Sequence, residues 1–79
     1  MSFNIQPLPE SIDFSDAETS PYITIGKGQT VYWRNCTVKV YEKGQSKPKE
    51  QYKTCDGCAI VLGDIEVTFS GQGGIILEK

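Results

Sequence analysis

From Tyr22 onward, apolar and polar residues alternate in short runs separated by Gly and Pro, and no apolar i, i+3, i+4, i+7 pattern persists for three turns. Long helices are excluded, and runs rich in Val, Ile, Thr, Tyr and Phe between turn residues predict strands. Tyr22 to Ile25 is the first clear one, closed by Gly26-Lys27-Gly28, where glycine permits a tight reversal. Gln29 to Lys43 then continues unbroken, which is long for a straight strand. Its alternation changes phase: Val31 and Trp33 share one face, whereas Cys36, Val38 and Val40 fall on the other. A bulge or turn at Arg34-Asn35 reconciles the two halves. The polar stretch Gly44 to Lys49, which contains Pro48, reads as a loop.

Gln51 to Cys55 and Cys58 to Leu62 flank Asp56-Gly57, and this dipeptide predicts a type I′ hairpin because both residues tolerate positive φ. Gly63-Asp64 marks another turn. Ile65, Val67 and Phe69 alternate with Glu66, Thr68 and Ser70, as expected of a strand with one buried and one wet face. Gly71-Gln72-Gly73-Gly74 predicts a further reversal before a last strand, Ile75 to Glu78. The C-terminal half therefore reads as a β-meander. Residues 22–79 are expected to form a single all-β domain, a small β-meander sandwich or open barrel of about six or seven strands.

Residues 1–21 differ in character. Pro7, Pro9 and Pro21 argue against a central strand, although Phe3 to Gln6 can pair at an edge. Ser15-Asp16-Ala17-Glu18 has capping-box spacing and fits one helical turn. The segment is acidic: Glu10, Asp13, Asp16 and Glu18 precede the first cation, Lys27. It is expected to be an irregular arm packed on the domain. Residues 27–53 hold seven cations against only Glu42 and Glu50, the remainder is acidic again, and the net charge is −2. Such separation favours an acidic segment over a basic one, within a chain or between copies.

A chain of 79 residues buries only about 60% of its unfolded surface, so the core is thin and support from disulfides, a metal or oligomerisation is expected. Three cysteines, an odd number, do not suit a fully paired disulfide framework. With no apolar run of roughly 18 residues and no basic-then-apolar leader, the expected compartment is a reducing cytosol. The CxxC of Cys55 and Cys58 raises zinc, which takes four ligands. Cys36, Cys55 and Cys58 are the only thiols and there is no His, so no metal is expected. The alternative is a zinc domain in which a carboxylate or a neighbouring subunit completes the set. A catalytic redox pair sits at a helix N-terminus, whereas Ala59 to Leu62 reads as strand. Without His the commonest general base is missing, and Gly26 to Thr30 lacks the order of a phosphate loop. The chain is expected not to be an enzyme and to need no cofactor.

Tyr32, Trp33 and Arg34, with Lys39 and Tyr41, are the candidate ligand- or partner-binding residues. Trp, Tyr and Arg combine contact area with polar reach and dominate binding hot spots. A pI near 4.9 argues against general nucleic-acid binding, while aromatic and cationic groups together suit a small anionic, nucleotide-like ligand. Neighbours on a regular strand face opposite sides, so Trp33 and Arg34 meet one partner only if the phase break bends the chain or a second copy contributes. The expected function is a non-enzymatic accessory or inhibitory module that contacts another protein or its own copies and forms a homo-oligomer, with no membrane association. The alternatives are a homo-oligomer that sequesters the anionic ligand and the zinc domain.

Overall fold

In a computed structural model, residues 4–15, 19, 22–61 and 65–78 are described. The strands are β1 (Ile5–Gln6), β2 (Ile23–Ile25), β3 (Thr30–Tyr41), β4 (Glu50–Ile60) and β5 (Ile65–Glu78). They form one open sheet in the order β1-β4-β3-β5-β2, with every neighbouring pair antiparallel. The chain is all-β, and no helix occurs among the described residues. None is therefore long and apolar enough to cross a membrane.

Several sequence expectations hold. Residues 42–49 are the loop joining β3 to β4, tied by Lys49 Nζ on Glu42 Oε1 at 2.8 Å and by Lys49 N–H donating to Val40 O at 2.7 Å. Gly26 to Gln29 turns, with Gln29 N–H on Gly26 O at 3.1 Å. Alternation along Ile65, Val67 and Phe69 points these three into the core. The phase break in β3 is real. Val31 and Trp33 before it and Cys36, Val38 and Val40 after it are all buried in one interior. Asn35 takes φ 56°, a left-handed value that Asn tolerates better than most residues, and the register shifts there against both neighbours.

Two predicted breaks are absent. Asp56-Gly57 lies inside the continuous strand β4 and is not a hairpin, and Gly71 to Gly74 lies inside β5. This is why five strands are described where six or seven were expected. The glycines serve close approach: a Cβ on Gly73 would fall onto Arg34 O, and one on Gly71 2.5 Å from Asn35 O. Strands β3, β4 and β5 thus kink at one level, where Asn35 N–H also donates to Asp56 Oδ1 at 2.7 Å. The C-terminal half is not a meander either, since β3 lies between β4 and β5. The predicted turns at Ser15 to Glu18 and Gly63-Asp64 fall wholly or largely outside the described residues.

The kink follows from connectivity. Straight strands of 12 and 14 residues would measure about 37 and 44 Å, yet the longest dimension is 32 Å. Ile60 opposes Thr30 at one end of β3 and Glu66 opposes Tyr41 at the other, while the five steps from Ile60 to Ile65 reach at most about 18 Å. The sheet must bend over itself. Doing so encloses Trp33 and Phe69, whose ring centroids lie 5.8 Å apart, among Ile25, Val31, Val38 and Val67.

Candidate binding face

Because the bulge at Asn35 restores the interior phase, the outward side chains of β3 also share one face along its whole length. Of the five candidate residues, Tyr32, Arg34, Lys39 and Tyr41 lie on this outer face and Trp33 lies on the inner one, fully buried. Trp33 and Arg34 therefore do not converge within one copy, and a pocket lined by both is not built.

The outer face has two zones. In the first, Tyr32 is opposed by Cys58 of β4 and Ile76 of β5, and the N-terminal segment crosses above. There the Arg34 guanidinium sits 4.4 Å from the Phe14 ring centroid, and Cys58 Sγ donates to Pro7 O at 3.5 Å. The contact at Arg34 is a cation–π one with an aromatic ring of this segment, and it involves none of the segment's carboxylates. A hydrogen bond to the Glu78 carboxylate, which favours the neutral phenol, raises the Tyr32 pKa. This zone is largely occupied by the chain itself.

In the second zone, Lys39 stands between Gln51 and Thr68, and Tyr41 is opposed by Glu66. Tyr22, preceding β2, stacks on Tyr41 with centroids 5.7 Å apart and planes at 27°, and 49% of Tyr22 remains exposed. Desolvation and then the neighbouring Glu66 carboxylate raise the Tyr22 pKa. Glu66 Oε1 also accepts the Gly44 N–H at 3.2 Å, which brings the β3–β4 loop to this corner. Thr24, Lys43, Ile65 and Glu66 line a shallow depression beside it. Further along the face, the hydroxyls of Thr37 and Thr54 are 3.0 Å apart. The surface offers ring faces, hydroxyls and an ammonium group for contact.

The sequence reading sets Tyr22 and Tyr52 beside Tyr41 as suggestive aromatics but names neither Tyr22 nor Lys43 nor Glu66 as a candidate. The structure gathers Tyr22, Lys43 and Glu66 at the same corner as Tyr41. The alternation Tyr22-Ile23-Thr24-Ile25 carries a signal for Tyr22, because Ile25 is buried and Tyr22 and Thr24 take the opposite phase. What joins Tyr22 to Tyr41 is the pairing of β2 with β5, a long-range choice. Among the described residues no three metal-ligating side chains cluster. Cys36 and Cys55 belong to the inner face and Cys58 to the outer, so the three thiols do not converge. Comparison with protein-family models, with curated proteins and with solved structures finds no match.

Proposed function

We propose that this chain is a non-catalytic binding module that works through protein–protein contacts on its outer face, around Tyr22, Lys39 and Tyr41, and that it does so as a homo-oligomer. The observation carrying this reading is the half-exposed Tyr22 stacked on Tyr41, on the same face as Lys39. Tyrosine gives large contact area for little rotamer entropy. A bent sheet surface with a shallow depression suits a protein partner better than a small molecule, which calls for a concave site that covers most of it.

Self-association follows from the edges. Among the described residues β1 pairs only with Cys58 and Ala59 of β4, and β2 only with Ile65 to Val67 of β5. Among the described residues, long stretches of β4 and β5 therefore have no partner strand on their outer edge, a template for pairing with another chain. Ile60 and Leu77, 48% and 40% exposed, add apolar surface. The reading retains the cytosolic setting expected from the sequence, in which thiols are held reduced.

The test is a photo-crosslinking residue at position 41, compared with one at Ser46 in the exposed loop, in the cells from which the chain comes. Discrete protein adducts from position 41 and none from position 46 support the reading. Equal labelling from both overturns it.

A further inference from the structure

The register opposes Cys36 of β3 to Cys55 of β4. Directly opposed residues of antiparallel strands share a face and have Cα atoms about 4.5 to 5.5 Å apart, within the span of about 4.4 to 6.8 Å that a disulfide accepts. Cys36 is fully buried, and the half-buried Cys55 packs against the same core. Both are free thiols.

The CxxC pair has the opposite geometry. Cys55 and Cys58 are three residues apart along one extended strand, about 10 Å between Cα atoms, beyond the roughly 7 Å limit for a bridge. Their side chains also leave opposite faces, with Cys58 turned outward onto Pro7 O. The two cysteines closest in sequence are thus kept apart, and two that are distant in sequence are brought together.

We propose that Cys36 and Cys55 form an oxidative modification site, a cross-strand dithiol that a low-molecular-weight disulfide converts into an intramolecular bridge while the CxxC stays open. The more exposed Cys55 attacks first as thiolate. A Cys55–S–R bond forms, the oxidant's S–S bond breaks, and one RS⁻ departs and takes up a proton. The Cys36 thiolate then attacks Cys55 Sγ; the Cys36–Cys55 bond forms and a second RS⁻ leaves. The two cysteines lose two electrons and two protons, and the oxidant is reduced to two thiols. Cys36 suits the second step. Burial pushes its thiol pKa up, and its Sγ is held at 3.2 Å from Arg34 O, so proximity and not thiolate abundance carries its reaction. The bridge would fasten β3 to β4 beside the kink.

The experiment treats the full chain, folded and fully reduced, with oxidised glutathione and reads intact mass. Digestion with trypsin and an endoproteinase that cleaves before aspartate follows, cutting at Asp56 so that Cys55 and Cys58 fall on different peptides. The expected result is a loss of two hydrogens, a link between the Cys36 and Cys55 peptides, and reversal by dithiothreitol. Cys36→Ser should stop at a stable glutathione adduct on Cys55. If that variant does not fold, the wild-type peptide map decides alone. A Cys55–Cys58 link, a wild-type adduct that never closes, or thiols that stay unreacted in the folded chain overturn the proposal.

Discussion

Gly57 and Trp33 oppose each other across β4 and β3, and a Cβ on Gly57 would lie 2.8 Å from indole Cζ2. The glycine is the space into which the largest buried side chain of the core is packed. Gly57→Ala is therefore expected to destabilise the fold by about 1 to 3 kcal/mol through overpacking. Trp33→Phe, which removes the offending ring carbon, should make the same alanine much less costly. Urea denaturation of the two single mutants and the double mutant measures that coupling; strict additivity would contradict it.

Trp33→Ala should cost about 3 to 5 kcal/mol, enough to unfold a domain this small. Arg34→Ala removes an exposed guanidinium from the Phe14 ring and should cost about 0.5 to 1 kcal/mol. Circular dichroism melts of the two variants should differ accordingly. A Trp33→Ala chain that melts like wild type would mean the indole is not the centre of the core.

The two kinds of glycine should respond differently to alanine. At Gly44, φ is 83° and a Cβ meets nothing within 4 Å, so Gly44→Ala carries only backbone strain of roughly 1 to 2 kcal/mol. At Gly73 a Cβ would fall onto Arg34 O, and no rotation of a side chain can relieve a backbone contact. Gly73→Ala should displace β5 from β3 or prevent folding, visible as loss of amide protection on both sides of the kink. Equal denaturation midpoints for the two variants would refute this.

Alkaline pH should weaken the fold. Tyr22, Tyr32 and Tyr52 all have pKa values raised above the ordinary 10.0. Desolvation leads for Tyr22, the Glu78 hydrogen bond for Tyr32, and desolvation followed by Glu50 for Tyr52. A raised folded pKa contributes stability that is fully present below the unfolded value and lost as pH rises through the folded one. Denaturation midpoints should thus be flat just below pH 10 and fall above it, and Glu78→Gln should bring the Tyr32 titration down. Midpoints against pH, together with phenolate absorbance, check both points.

The face-binding proposal predicts that Tyr41→Ala combined with Lys39→Glu leaves the fold cooperative, since both residues point outward, and abolishes partner capture at that face. Sedimentation velocity at micromolar concentration addresses self-association separately. A monomer throughout would remove the oligomer from the proposal without touching the face.

Much of the architecture was legible because alternation is a local property. Ile65 to Ser70 declared its two faces, and the mismatch between Val31-Trp33 and Cys36-Val38-Val40 located a bulge from sequence alone. The glycines misled for a physical reason. A residue without a Cβ suits a tight turn and suits equally a strand against which something packs at contact distance: the Trp33 indole at Gly57, the backbone of residues 34 and 35 at Gly73 and Gly71. The site was half legible. Alternation separated Trp33 from Arg34, but only the pairing of distant strands reveals which of them faces inward and that Tyr22 meets Tyr41.

Asn35 also determines which changes this chain can absorb. The strand is in effect two short strands written in opposite frames and spliced by one left-handed residue. Were Asn35 to straighten into ordinary extended backbone, Thr37, Lys39 and Tyr41 would turn inward and Cys36, Val38 and Val40 outward, although no residue had changed. Substitutions on the outer face are cheap by comparison, because those side chains take no part in the interior. In the central strand, then, the fold rests on the conformation of one exposed residue as much as on the apolar side chains of the interior.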